Sequence, residues 1–183
     1  MRKLGPFGLE LRPCRSPFEG LAESIVHQQL HGKAAASIHG RLRDIFPGRR
    51  LTPERILASR EEELRRAGLS AAKAAAIRDL SRRTLEGEVP GFKAMENLDD
   101  SEIIDRLTHV RGIGRWTVEM LLIFRLGRPD VLPVDDFAIR KGFGLWFREG
   151  GSPSPREVAA HGERWAPFRS VASWYLWQAS HRL

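Results

Sequence analysis

Apolar residues in this chain recur three and four apart, and no stretch alternates in twos for long. That pattern demands helices and leaves little room for half-buried strands. Leu21, Ile25 and Val26 mark a helix over 18–29, and Ala34, Ile38, Leu42 and Ile45 mark another over 33–46, with Gly32 in the turn between them. Thr52-Pro53 combines an N-cap with proline at the first helical position. Ser59 and Glu62 have capping-box spacing, with Gly68 as the stop. Ser70 opens an alanine-rich helix to about Leu85. Residues 86–98 read as a linker, and Asp99 or Asp100 caps the helix that follows. A tight turn is expected at 110–114 and a helix at 115–126. Residues 127–135 form a Gly/Pro-rich loop before a helix from Asp136 to about Phe147. Ser154-Pro155-Arg156-Glu157 is a full start signal, and a last helix is expected from Pro167 to Ser180. The fold class expected is all-α, with about ten short helices.

Composition narrows the function. At 183 residues and 42% hydrophobic, the chain can bury a core. No apolar run approaches the roughly 18 residues of a membrane span. The first ten residues lack the apolar core of a secretory signal, so an intracellular protein is expected. A lone cysteine, Cys14, makes no internal disulfide and holds neither a cluster nor a structural zinc. The net charge of +7 points to a polyanionic partner, nucleic acid first.

Residues 107–117 read LTHVRGIGRWT. Gly112 and Gly114 lie two apart between helical segments. The amides that open the second helix are a ready site for a phosphate oxygen. Two helices joined this way hold a DNA backbone without reading its sequence. Gly112, Ile113, Gly114, Arg115 and Thr117 are the candidate phosphate-binding residues. Beyond the loop come two adjacent acids, Asp135 and Asp136. Capping a helix is their plain role. Carboxylates so soon after a phosphate clamp also suggest chemistry, because they repel the phosphates that the clamp attracts.

The segments IVHQQLHGKAA (25–35), LTHVRGIGRWTVEM (107–120), LPVDDFAIRKGF (132–143) and ERWAPFRSVASWYLW (163–177) resemble the helix-hairpin-helix (HhH-GPD) DNA glycosylase superfamily, and within it the DNA-3-methyladenine glycosylase II branch. The resemblance covers about residues 18–181. It implies one HhH-GPD domain over 1–183, with its hairpin at about 107–122, its Gly/Pro-Asp loop at 127–136, and two packed lobes with a cleft between them. It makes Asp136 the catalytic acid, with Ile139 fixing the register and Asp135 left as cap or orienting neighbour. Trp116 stands where lyase-active members carry their Schiff-base lysine, which implies a monofunctional enzyme. Lys141 is read as a surface or backbone contact.

The resemblance also implies that the target nucleotide is flipped out of double-stranded DNA and the gap filled. Leu30 is the candidate wedge, with Gln29 its rival and His31 beside it in the minor groove. Trp177 and Trp116 are expected to line the base pocket, with Met120, Phe18 and Phe137 as further candidates, while Trp165 and Trp174 are read as core. The implied reaction is hydrolysis of the N-glycosidic bond of alkylated bases such as 3-methyladenine and 7-methylguanine, with no required cofactor. A monovalent cation (Na⁺ or K⁺) at the backbone carbonyls of Thr108, Val110 and Ile113 is a further expectation. The protein is expected to act as a monomer, off the membrane, in the nucleoid-associated cytoplasm of a prokaryote. Two other readings stay open: a non-catalytic hairpin module that binds DNA, and a bifunctional glycosylase/lyase. The second wants a lysine at 116.

Overall fold

The computed structural model describes residues 4–149 and 151–182. Among them are α1 (Pro17–His27), α2 (Gly32–Asp44), α3 (Pro53–Ala58), α4 (Glu61–Arg66), α5 (Ala71–Leu85), α6 (Phe92–Met95), α7 (Asp100–Thr108), α8 (Arg115–Phe124), α9 (Phe137–Phe147), α10 (Pro155–Gly162) and α11 (Arg169–Arg182), with 3-10 turns at Pro47–Arg49 and Glu163–Trp165. No strand occurs among the described residues. No helix there is long and apolar enough to cross a membrane. The all-α expectation holds.

Local chemistry sets most of the helix starts. Ser16, Thr52, Ser70 and Ser154 each accept an amide from the third residue beyond. At Ser154 the Glu157 carboxylate returns the bond, completing the capping box. The box expected at Ser59 and Glu62 does not form; Glu63 accepts the Arg60 amide at 2.9 Å, and the Arg60 guanidinium has no acceptor to return the bond. Ser59 instead closes α3, its hydroxyl donating to the Ile56 carbonyl at 2.7 Å. Four further expectations shift. The supposed linker over 86–98 contains α6, pinned by the fully buried Met95. Ala35 rather than Ala34 carries the buried stripe of α2. Gly32 is the first residue of α2, and the turn before it is made at Gln29, with φ of +57°. The last helix starts at Arg169, after a 3-10 turn.

The contacts group the chain into two compact units, Cys14–Leu121 and the described residues of 4–13 and 122–182. In the Cys14–Leu121 unit, α5 is the central helix and packs against α1 and α3, while α1 also packs on α2. Phe18, Leu21, Ile25 and Val26 of α1, Ile77 and Leu80 of α5, and Ile56 of α3 are buried there. Ile103 and Leu107 of α7 and Val110 and Ile113 of the turn are buried as well, so the hairpin rests on the same core.

The other unit is organised by α9 against α11. Ile139, Phe143, Val158 and Leu176 form its core, with Leu132, Val134, Trp165 and Trp177 packed at the margin. The two helices meet at Gly142, where a Cβ would lie 2.0 Å from the Leu176 carbonyl oxygen. Any side chain at 142 would force α9 and α11 apart. Trp165, expected in the core, is half-buried at its margin. Trp174 is half-buried and meets Phe7 edge-on, with ring centroids 5.4 Å apart.

Candidate active site and DNA-binding hairpin

Asp136 is the N-cap of α9. Its Oδ1 accepts the Ile139 amide at 2.9 Å. The same oxygen accepts Nε1–H of the Trp177 indole at 3.3 Å. Two donors from different helices thus fix one orientation of the carboxylate at the positive end of α9. The sequence reading left Asp135 as cap or orienting neighbour; the structure makes Asp136 the cap and leaves Asp135 exposed. Ile139, which supplies that amide, is a fully buried core side chain.

The Trp177 ring stacks on Phe124, with centroids 5.6 Å apart and planes inclined by 26°. The Arg12 guanidinium lies 5.0 Å from the Phe124 centroid, and the Arg12 amide donates to the Phe124 carbonyl at 2.7 Å. One face of the Trp177 indole is therefore already covered by protein. Sequence reasoning missed Phe124 and Arg12. No motif links residue 12 to residue 124, and only the tertiary contact reveals the pair.

The loop before Asp136 is fastened to α11. Asp130 makes a two-pronged pair with Arg169 (Nε to Oδ1 2.7 Å, Nη2 to Oδ2 2.8 Å) and accepts the Arg169 amide at 3.1 Å. These Arg169 bonds hold the Asp130 carboxyl below its ordinary pKa, outweighing its partial burial. Ser170 Oγ accepts the Val131 amide, and Ser173 Oγ donates to the Val131 carbonyl. Lys141 makes the backbone contact expected of it, Nζ to the Ser180 carbonyl at 2.9 Å. Phe137, next to Asp136, is 73% exposed.

In the Cys14–Leu121 unit the hairpin turn forms at Gly112, with φ of +76°. A Cβ there would also come within 3.3 Å of the Ala76 Cβ on α5. The Asp79 carboxylate of α5 accepts the Arg111 amide at 2.9 Å and pairs with Arg82 and Arg83. Burial pushes the Asp79 carboxyl up, but the Arg111 amide and the two arginines outweigh it and leave it below its ordinary pKa. Gly114, Arg115 and Trp116 are exposed where α8 begins, and amides of a helical first turn have no carbonyl one turn back. Arg115 is steadied by the buried Glu119, Nε to Oε1 2.9 Å.

Two of the five expected hairpin residues point inward. The Ile113 amide donates to the Val110 carbonyl and the Thr117 amide to that of Gly114; the residues are 4% and 5% exposed. Their amides are spent within the turn, so neither amide is offered to a ligand. Trp116 is 47% exposed and Met120 half-buried. Phe18 is only 2% exposed, packed on α1 in the core, so its ring has no face to offer a base.

The turn between α1 and α2 presents Gln29, Leu30 and His31 on the surface, Leu30 at 40% exposure. It is tied to the hairpin: Gln28 Nε2 donates to the Gly112 carbonyl at 2.8 Å. Lys73 Nζ donates at 2.7 Å to both the Val26 and Gln28 carbonyls at the end of α1. Sequence reasoning did not single out Gln28, Lys73 or Asp79, whose bonds span 84, 45 and 32 residues.

The family model described as HhH-GPD superfamily base excision DNA repair protein matches residues 22–168. The chain belongs to the HhH-GPD superfamily. Among its relatives is DNA-3-methyladenine glycosylase 1 of Schizosaccharomyces pombe, 43% identical over 92% of this chain and 77% of the relative. DNA-3-methyladenine glycosylase 2 of Escherichia coli is 28% identical over 93% of this chain and 60% of its own length. Among solved structures, the S. pombe 3-methyladenine DNA glycosylase Mag1 in complex with abasic DNA superposes with a TM-score of 0.87 at 41% identity, covering 98% of this chain and 88% of that one. The Bacillus halodurans DNA-3-methyladenine glycosidase gives 0.88 at 36% identity, covering 96% and 79%. The HhH-GPD fold expected from the four sequence segments is the fold of the molecule.

Proposed function

We propose that this HhH-GPD protein is a monofunctional DNA glycosylase that releases alkylated bases, 3-methyladenine and 7-methylguanine among them, from double-stranded DNA in base excision repair. The observation that carries the reading is the Asp136 carboxylate, held by the Ile139 amide and the Trp177 indole beside the Trp177–Phe124 stack. A base alkylated at N3 or N7 leaves as a neutral molecule, so little general-acid help is needed. The sugar left behind develops oxocarbenium character, as in glycoside hydrolysis. A fixed carboxylate stabilises that positive charge and positions or deprotonates the attacking water. The electron-rich indole attracts a cationic base by about 0.5–2 kcal/mol. Trp116 cannot form an imine, so no lyase step follows.

On this reading the exposed amides opening α8 take a DNA phosphate. Leu30 is the wedge that enters the stack as the nucleotide flips, with Gln29 and His31 beside it. The cation expected at the hairpin fits the donor chemistry: Thr108 ends α7, where helix carbonyls are electronegative, and a carbonyl such as that of Val110 has two lone pairs and gives one to Ile113. Na⁺ or K⁺ held there by Thr108, Val110 and Ile113 adds positive charge near the phosphate. The protein acts as a monomer in the prokaryotic cytoplasm, on the nucleoid.

The test is incubation with methylated double-stranded DNA, chromatography of the released bases, and strand-break analysis with and without alkali. Free methylated bases with breaks only after alkali are expected. Breaks without alkali would make the protein a lyase, and DNA binding without base release would reduce it to a hairpin module.

A further inference from the structure

The helices α1 and α2 bring three ligand-type side chains together. Glu23 and His27 lie four residues apart on α1 and so share one face. His39 reaches them from α2; its ring meets that of His27 edge-on, with centroids 6.3 Å apart. One ligand atom from each of the three lies within 4.8 Å of the other two, and all three side chains are half-buried. Sequence reasoning gave these residues no role, because His39 is distant in the chain and Glu23-x-x-x-His27 is a common pattern on helices.

The chemistry is selective. Two imidazoles and a carboxylate suit borderline divalent ions, whereas Ca²⁺ and Mg²⁺ want oxygen alone. A tetrahedral ion with ligand bonds of about 2.0–2.1 Å needs its ligand atoms about 3.4 Å apart. Binding therefore requires the three ligand atoms, now within 4.8 Å of one another, to close in around the ion. Burial lowers the His39 pKa, opposed by Glu23 and reinforced by Arg43 and His27, with a small upward effect of Glu19. A neutral ring is the form that offers a metal its lone pair.

We propose that Glu23, His27 and His39 bind one divalent ion of the Zn²⁺ class, with water completing the coordination, and that this ion clips α1 to α2 and braces the turn at 28–31. His27 directly precedes Gln28, the residue that bonds Gly112 and whose carbonyl takes Lys73. A metal at His27 and His39 closes the base of the turn that presents Leu30. The importance of bracing rests on the wedge reading above; the binding itself does not.

The test titrates the full-length, chelator-treated protein with Co²⁺ and then Zn²⁺. One Co²⁺ per chain with visible ligand-field absorption is expected, displaced stoichiometrically by Zn²⁺. Free Zn²⁺ at 100 times its Kd is expected to raise Tm by about 5–10 °C and to slow hydrogen exchange at residues 27–32 by about tenfold. His27→Gln and His39→Gln are each expected to weaken binding about 100-fold, and Glu23→Gln about tenfold. If a histidine variant does not fold, Glu23→Gln carries the comparison. Absence of saturable binding overturns the proposal, as does equal affinity in the variants, which would move the ion to another of the six histidines. Unchanged exchange at 27–32 would remove the bracing. None of these readouts needs base release, so a chain that binds Zn²⁺ but excises nothing fails only the glycosylase reading.

Discussion

In the Cys14–Leu121 unit, the groups proposed to meet a ligand are main-chain amides where α8 begins, and side chains serve to hold that main chain in place. Asp79 fixes the Arg111 amide, Gln28 the Gly112 carbonyl, and Lys73 the end of α1. Around Asp136 the arrangement is reversed. There a side-chain carboxylate is the proposed functional group, and main chain (the Ile139 amide) helps to hold it. A grip made of backbone tolerates side-chain change wherever the conformation survives. A charge carried by one side chain does not. The first region should fail through geometry, the second through the loss of single atoms.

The largest expected effect is at Asp136. Asn caps a helix as well as Asp does, so Asp136→Asn should keep the fold and DNA binding while losing the charge. Base release should fall by at least about 10²-fold, measured by single-turnover excision alongside binding. Near-normal excision would remove Asp136 from the chemistry and end the contrast.

Next come the two hairpin glycines, which look alike in sequence and are not. Gly112→Ala forces a side chain into positive φ and against Ala76. It should cost about 1–2 kcal/mol, lower Tm by about 3–6 °C and weaken DNA binding by about tenfold. A Cβ at Gly114 meets nothing within 4 Å, so Gly114→Ala should bind DNA within about twofold of wild type. Equal losses at both positions would contradict a geometric origin.

Trp177→Phe keeps a ring against Phe124 and deletes the bond to Asp136. One such bond contributes about 1 kcal/mol, so excision should slow by about fivefold with little change in Tm. The smallest effect on activity belongs to Asp130→Asn, which breaks the pair holding the loop to α11 and should lower Tm by about 2–6 °C. Because the folded Asp130 pKa is depressed, the pair stabilises above the unfolded value of about 3.9 and loses its effect as pH falls through the lower folded value. The Tm difference between wild type and Asp130→Asn should therefore be full at pH 7 and close below about pH 4.

Particular residues show what was legible. Thr52, Ser70 and Ser154 announce their helices because capping is decided within four residues. The 107–120 motif likewise announces its turn, since Gly112 is glycine where the backbone needs positive φ. Met95 was invisible: a four-residue helix has too little periodicity to read, and its burial comes from distant partners. Phe18 misled for a related reason, because an aromatic near a functional turn reads the same whether it faces a ligand or the core.

By itself the sequence determined the helical class, most helix starts and the hairpin, because each rests on short-range spacing and on the backbone preferences of a few residues. Only the tertiary structure decided that Asp136 caps its own helix while bonded to Trp177, that Phe124 and Arg12 back that indole, and that Gln28 ties its turn to Gly112. Apart from the local cap, those contacts join residues 41 to 112 positions apart, whose approach is set by how whole helices pack rather than by any local pattern.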